Sequence, residues 1–339
     1  MIVLFPTYAR RLPDGRWRAS VGGMVSRPLP EKSRRRTLAI AVLRRLLDLD
    51  EAHLHTEVFR RRADAFLFQR LAGRRVVIRL GGRDVAVDQT DRSGHFRVEI
   101  DLDEPAGGGR IVECTAEADA ADEPAVGGPA TGAVHLVDPA GASVISDIDD
   151  TVKVTNVVDR RELLRNTLLR EFVAVPGMPE VFRDWHAAGT VFHYVSASPW
   201  QLSPCLCGFL GAAGLPAGSM HLKLFRLKDS TPLGRLPSRK RSKRRVIEQI
   251  MADFPGRRFL LVGDSGERDP EVYAAVAKKR PAQVAGVAIR LVESRASARK
   301  VRDRLAALAR KLPAGGLTVF ESPAELAARH DPSVAVRDG

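Results

Sequence analysis

The stretch Val144-Ile145-Ser146-Asp147-Ile148-Asp149-Asp150-Thr151 decides the fold. A β-branched apolar run leads into Asp-x-Asp-x-Thr, so two carboxylates stand two residues apart at the end of a strand. One of them could attack an electrophile while the other protonates a leaving group. An acidic turn after a strand is the competing reading, because Asp is a common turn former. Outward from this point, the chain alternates short apolar runs with helical patterns, which predicts a parallel sheet with crossover helices. The expected strands are 142–148, 191–196, 222–226, 258–262 and 284–291, and the expected helices are 178–188, 202–213, 243–253, 270–279 and 297–312. Three strands end on Asp147, Ser196 and Asp264. Ligands sit at the carboxyl ends of strands in open α/β sheets, so these three are expected to converge on one site.

A second acidic anchor is Gly263-Asp264-Ser265-Gly266-Glu267-Arg268-Asp269, again following a strand. Its carboxylates could complete a magnesium site built from oxygen ligands. The same residues could instead be a βα turn with an N-cap. Two acidic strand ends in one sheet are harder to dismiss than either alone.

Upstream the pattern differs. Strands are expected at 2–5 and 17–25, followed by a helix with Leu38, Val42, Leu46 and Leu47 on one face and a second helix over about 52–67. Short β-type runs follow at 76–80, 85–87 and 96–100, with Gly81-Gly82 and Asp91-Arg92-Ser93-Gly94 as turns. They predict a small antiparallel sheet or sandwich. Residues 104–132 read as loops around an acidic strand at 111–116. The expected organisation is a β-rich module over 1–140 with helices near 36–67, an α/β domain over 141–320, and a tail over 321–339.

The chain of 339 residues carries a net charge of +13, and this surplus is clustered. Residues 1–70 hold 15 basic and 7 acidic side chains, 71–142 hold 7 and 13, and 221–245 hold 10 and 1. Clustered cations make a field that attracts an anionic partner, whereas a single run such as Arg60-Arg61-Arg62 more often solvates a helix face. Three cysteines exclude a disulfide framework and favour a reducing compartment; Cys205 and Cys207 read as small buried apolar residues. No apolar run approaches the roughly twenty residues of a membrane span, and the start before Arg10 is too short for a signal-peptide core. His193 reads as a core or rim histidine. Trp200 reads as a core residue or an aromatic surface for an acyl chain.

In order along the chain, Asp147-x-Asp149-x-Thr151, a strand ending in Ser196, Lys243 opening a helix and the Gly263-Asp264 to Asp269 run resemble the four motifs of haloacid-dehalogenase phosphatases. Longer strings narrow the resemblance: 146–155, His193-Tyr194-Val195-Ser196-Ala197-Ser198-Pro199-Trp200, Gly263-Asp264-Ser265-Gly266 and Asp269-Pro270-Glu271-Val272-Tyr273 are similar to the actin-patch-protein phosphatidate phosphatase family. They cover about residues 134–313; the upstream match rests on Phe5-Pro6 and Gly22-Gly23-Met24-Val25. The family often has His before the motif lysine, and this chain has Ser242; Lys243 keeps the family's spacing to Pro255, beside Arg239, Lys240, Arg241, Arg244 and Arg245.

The resemblance implies a Rossmann-like α/β fold of haloacid-dehalogenase type with a short cap insert, preceded by the smaller β-rich, sandwich-like module. Asp147 would be the nucleophile, Asp149 the acid and base, and Lys243 the charge-neutralising cation. Ser196, Thr151 and Lys243 would contact phosphate, with Thr151 bracing the loop. Mg2+ would lie among Asp147, Asp264, Asp269 and Asp149, the last through a nearby carbonyl. The implied reaction is magnesium-dependent hydrolysis of phosphatidate to diacylglycerol and phosphate through an aspartyl-phosphate, a step of lipid metabolism. The insert, 156–176, is too short for a separate lid domain, which suits a large or interface-bound ester. An anionic phospholipid surface is the expected partner, reached by peripheral association from the cytoplasm. The alternatives are a phosphatase of nucleic-acid ends or soluble phosphomonoesters, and a non-catalytic scaffold for anionic lipids.

Overall fold

A computed structural model describes residues 1–87, 89–105, 108–118, 128–157, 159–223, 239–292, 298–313 and 315–332. In the amino-terminal module, strands β1 (Ile2–Leu4), β2 (Thr7–Arg11) and β3 (Trp17–Pro28) are followed by helices α1 (Arg34–Leu47), α2 (Glu51–His55) and α3 (Glu57–Asp64). Strands β4 (Phe68–Arg70), β5 (Val76–Leu80), β6 (Arg83–Val87), β7 (His95–Leu102), β8 (Ile111–Ala118) and β9 (Ala130–Val137) complete it. The sheet runs β1-β3-β2-β9-β8-β5-β6, with β7 and β4 paired to β3. On β3 the period of two points Trp17, Ala19 and Val21 to one side. There they meet Val76, Ile78 and Leu80 of β5, Phe96 and Ile100 of β7, and Leu136 of β9, so the sheet folds over one apolar core.

The helical segment departs from expectation in two ways. The single helix expected over 52–67 breaks at Thr56, whose extended backbone lets its hydroxyl accept a bond from the Phe59 N–H and cap α3. Of the face expected in α1, Leu47 is buried but Leu38 and Val42 are not. Leu38 and Val42 are 67% and 50% exposed, while Ala39, Ile40, Leu43 and Leu47 pack inward. The reason is the partner, α4 (Arg160–Leu168), which supplies Leu164 and Leu168 to the cluster formed with Leu47, Phe59 and Ala63. Arg165 donates to the Leu47 carbonyl at 3.2 Å, and Arg62 donates to the Thr167 carbonyl at 2.7 Å. The short insert is thus one wall of a composite helical unit completed by α1–α3.

Two residues after β9 the chain begins a six-stranded parallel sheet: β10 (Ala140–Ser146), β11 (Val191–Pro199), β12 (Ser219–Lys223), β13 (Gly256–Asp264), β14 (Val284–Arg290) and β15 (Leu317–Phe320). The order is β12-β11-β10-β13-β14-β15. The chain moves to one side of β10 and then returns to its other side, so the switch point lies between β10 and β13. Helices α5 (Met178–Ala187), α6 (Ser203–Ala212), α7 (Arg239–Asp253), α8 (Asp269–Lys279), α9 (Ala298–Ala309) and α10 (Pro323–Arg329) accompany the sheet. Clusters around Phe182, Phe192 and Leu206 and around Ile247, Phe259 and Tyr273 cover its two faces.

The expected strands and helices of this half appear within a few residues of their predicted bounds. Part of the strand expected at 222–226 and most of the basic run at 221–245 lie outside the described residues. The segment expected as a tail over 321–339 begins instead with α10, whose Leu326 is buried beside Phe320 and Phe182, because residues 321–322 lead directly from β15 into that helix. Residues 333–339 lie outside the described residues. Among the described residues no helix is long and apolar enough to cross a membrane. Cys205 and Cys207 are half-buried rather than buried.

The two halves meet through aromatic contacts. Tyr8 donates to Asp253 at 2.6 Å and packs edge-on to His193 and Phe254; Trp200 sits against Phe5, Phe68 and His95. Trp200 is therefore an interface residue. His193 is fully buried, its Nδ1 2.7 Å from the Ser219 hydroxyl, which lies 3.0 Å from His221 Nε2. Burial pushes His193 well below its ordinary value, and pushes His135 and His221 down to about 4. These rings stay neutral in the folded chain but gain a proton when unfolded below about pH 6.5. Stability is therefore full above that pH and falls on acidification toward pH 4, by about 1.4 kcal/mol per pH unit for each such histidine. The melting temperature is expected to drop steadily from pH 7 to pH 5; a flat profile over that range would contradict the burial of these rings.

Candidate active site

The site forms where β10 and β13 end side by side. The Asp147 N–H donates to the Val262 carbonyl at 2.9 Å, so the loop after β10 starts pinned to β13. Asp150 follows in a left-handed conformation, and its carboxylate accepts from the N–H groups of Thr155, Asn156 and Val157 at 2.6–2.8 Å. Arg290, at the end of β14, donates to the Asp150 carbonyl at 2.7 Å. The loop is thus tied at both ends to neighbouring strands, which fixes where Asp147 and Asp149 point.

One ligand oxygen from each of Asp147, Asp264 and Asp269 lies within 4.8 Å of the others. All three side chains are buried, and one oxygen of each, Oδ2, has no hydrogen-bond partner among the described residues. Lys243 Nζ donates to Asp147 Oδ1 and to Asp269 Oδ1, both at 2.6 Å, which identifies the cation that enters the site from α7. Three carboxylates thus share one ammonium. Burial, reinforced by the neighbouring acids, pushes Asp147 and Asp264 well above the usual carboxylate range. Burial pulls Lys243 down, but Asp147 and Asp269 outweigh it and hold the ammonium charged. Hard oxygen donors, orphaned and carrying excess negative charge, fit a divalent cation such as magnesium.

The turn expected over Gly263–Asp269 is present, and α8 begins after Arg268 without a side-chain N-cap. Asp264 Oδ1 accepts from the N–H groups of Gly266 and Glu267 at 2.6 and 3.1 Å, capping the turn, while Oδ2 stays free for a metal. Residue 263 must be glycine because a Cβ there would meet Asp269 Oδ2 at 2.5 Å and the Tyr273 ring at 2.7 Å. Arg304 of α9 clamps the run from outside, donating to the Ser265 and Glu267 carbonyls at 3.0 and 2.7 Å.

Asp149 stands apart from this cluster. Its carboxylate is 2.8 Å from Lys153 Nζ and accepts from Thr155 Oγ1 at 2.9 Å, Ser196 Oγ at 3.1 Å and Ser198 Oγ at 2.6 Å. Burial alone would raise it, but Lys153 and these hydroxyls overcome that penalty and push it down to about 2. The carboxylate is thus held by Lys153, itself buried against the Phe172 ring at 4.6 Å, while the group expected to face a metal here is the nearby backbone carbonyl. Ser196 is at the site, bonded to Asp149. The Thr151 hydroxyl is fully buried with no hydrogen-bond partner among the described residues. Lys153, Ser198, Asp150 and Arg290 have no role in the sequence reading; the family-like string 146–155 is the available signal for the first and third.

Residues 142–291 match the family model described as "Phosphatidate phosphatase APP1, catalytic domain". Phosphatidate phosphatase APP1 of Saccharomyces cerevisiae is 36% identical over 160 residues, 46% of this chain and 27% of the yeast protein. An uncharacterized protein of Schizosaccharomyces pombe is 35% identical over 165 residues, 48% of this chain and 27% of that one. The chain thus spans about a quarter of the length of these curated relatives. A solved D,D-heptose 1.7-bisphosphate phosphatase from B. bronchiseptica, complexed with magnesium and phosphate, shares 19% identity over 56% of this chain and 97% of its own, with a TM-score of 0.34. A score that low carries no conclusion about this chain.

Proposed function

We propose, from the match of residues 142–291 to the family model described as "Phosphatidate phosphatase APP1, catalytic domain", that the protein is a magnesium-dependent phosphatase that hydrolyses phosphatidate to diacylglycerol and phosphate. The observation that carries the reading is the trio of buried, unpaired carboxylate oxygens of Asp147, Asp264 and Asp269 beside Lys243. A bound magnesium ion would supply charge screening between the nucleophile and the incoming phosphate.

In this reading the free Oδ2 of Asp147 attacks phosphorus in line. The bond from phosphorus to the glycerol oxygen breaks, and an aspartyl-phosphate remains. Lys243, held between Asp147 and Asp269, offsets the negative charge that builds on the phosphoryl oxygens. Ser196 is placed to donate to one of those oxygens once it lets go of Asp149. Asp149, ionised in the free protein, takes the proton of the water that cleaves the aspartyl-phosphate. For the first step the same carboxyl must hold a proton, and the nearby phosphate dianion favours that by raising its proton affinity. Lys153 opposes it, so the grip of Lys153 sets the balance between the two steps.

The cations of residues 1–70 would hold the protein on anionic lipid, where α1 presents Leu38 and Val42 together with Arg34, Arg35 and Arg45. Phosphate release from a panel of phosphatidate micelles, 5′-phosphorylated oligonucleotides and sugar phosphates, each with magnesium or with a chelator, tests the reading. Phosphatidate is expected to give the highest kcat/KM, and only with magnesium. Faster release from oligonucleotides, or equal release with the chelator, would overturn it.

A further inference from the structure

The two carboxylate oxygens of Asp149 are held by two different grips. Oδ1 meets Lys153 Nζ at 2.8 Å and the Thr155 hydroxyl at 2.9 Å, while Oδ2 accepts from Ser196 at 3.1 Å and from Ser198 at 2.6 Å. In the function proposed above Ser196 turns to a phosphoryl oxygen, so Oδ2 is the oxygen on the substrate side and Oδ1 is the anchor. That anchor is only as firm as Lys153. Its ammonium is buried, donates to the Thr155 hydroxyl at 2.6 Å and lies 4.6 Å from the centre of the Phe172 ring. The negative face of an aromatic ring offsets part of the cost of burying a cation.

Phe172 is itself held from several sides. The Val154 N–H donates to the Val173 carbonyl at 2.8 Å and the Val175 N–H to the Val152 carbonyl at 2.9 Å, so the backbone beside the ring is tied to the segment that carries Lys153. Phe209 of α6 meets the ring edge-on at 5.8 Å, and the Arg62 guanidinium of α3 lies 3.4 Å from its centre. Phe172 also lines a cleft of about 1070 Å³ between the two modules, together with Arg61, Asp64 and Glu171, charged groups that draw water in. The ring therefore separates that cleft from the buried ammonium. We propose that Phe172 is a positioning residue: it keeps Lys153 on Asp149 Oδ1, so that Oδ2 faces the oxygen that leaves with diacylglycerol. The inference rests on the function proposed above and adds to it a link from the amino-terminal module, through Arg62, to the acid of the first step. In that step the bond from Asp147 Oδ2 to phosphorus forms, the bond from phosphorus to the glycerol oxygen breaks, and the proton of Asp149 passes to that oxygen. A carboxyl turned away from the leaving oxygen delivers no proton to it, and a misplacement of about 1 Å can cost about a hundredfold.

Phe172→Leu keeps apolar bulk but removes the ring face, and Phe172→Met serves if leucine impairs folding, as read by melting temperature. The variant and the parent are compared on dibutyryl phosphatidate and on its analogue in which sulfur replaces the bridging oxygen. A thiolate leaves without a proton, so only the oxygen ester needs the acid. In the variant kcat/KM on the oxygen ester is expected to fall about tenfold, with less than about a twofold change on the sulfur analogue. Phe172→Tyr, which keeps a ring, is expected to match the parent on both. Equal losses on the two substrates would make Phe172 a packing residue and overturn the proposal. No loss on the oxygen ester, or a tyrosine variant that behaves like the leucine one, would overturn it too. Failure of the unsubstituted protein to hydrolyse phosphatidate overturns the function reading instead, and that is seen without any variant.

Discussion

Asp147→Asn is expected to lower magnesium-dependent phosphate release from phosphatidate by on the order of a thousandfold or more, because the amide cannot serve as the attacking oxyanion. The fold is expected to survive. Asp147 is buried beside Asp264 and Asp269, so the substitution removes a charge that its acidic neighbours repel, while Lys243 keeps its 2.6 Å bond to Asp269. Asparagine also has nearly the same shape, so the pinning of residue 147 to the Val262 carbonyl through its N–H is untouched. Melting temperature and phosphate release measured on the same preparation separate the two effects. Full activity in a folded variant would remove the proposed mechanism altogether, and loss of folding would show that the Asp147–Lys243 pair is structural first.

Lys243→Met should have the second largest effect, and it divides between stability and rate. Methionine matches the length of the lysine stem but leaves three buried carboxylates with no cation. Breaking a buried pair by removing one partner costs about 3–5 kcal/mol, so the metal-free variant is expected to melt well below the unsubstituted protein. Magnesium should recover more stability in the variant than in the parent, since the metal then replaces the positive charge that Lys243 gives Asp147 and Asp269. Phosphate release is expected to fall by about a hundredfold to a thousandfold, the usual cost of losing a group aimed at developing charge. Melting curves across a magnesium titration give the first result, and steady-state phosphate release gives the second. A variant that melts like the parent without metal, and gains no more from magnesium, would show that Lys243 does not compensate the carboxylates.

Much of this site could be read from the chain because its parts are local. An apolar run that stops at Asp147 or Asp264 marks a strand end wherever the strands later pack, whereas β11 runs on past Ser196 to Pro199 and α7 begins at Arg239, ahead of Lys243. The competing reading of Gly263–Asp269 as a mere turn was half right: one oxygen of Asp264 caps the turn and the other joins the acidic cluster. Asp149 shows the limit. Its two-residue spacing from Asp147 suggests a partner acid, yet the sequence pattern carries no sign that Lys153, Ser196 and Ser198 close on it from two directions.

α1 shows the same limit in a helix. Its sequence offers two apolar stripes, one through Leu38 and Val42 and one through Ala39, Leu43 and Leu47. The choice between them is made by α4, more than a hundred residues further on, which buries the second and leaves the first in solvent. Trp200 likewise finds its neighbours, Phe5, Phe68 and His95, in a different module.

Residue order alone was enough to place the parallel strands, the acidic strand ends and the lysine, since each depends on chemistry within a few positions of itself. The tertiary structure decided which carboxylates meet, which helix face is buried, and how a twenty-residue insert becomes part of a larger helical unit. Those outcomes depend on contacts between segments far apart in the chain, and the free energy of such contacts is set by what each surface meets, which no local pattern encodes.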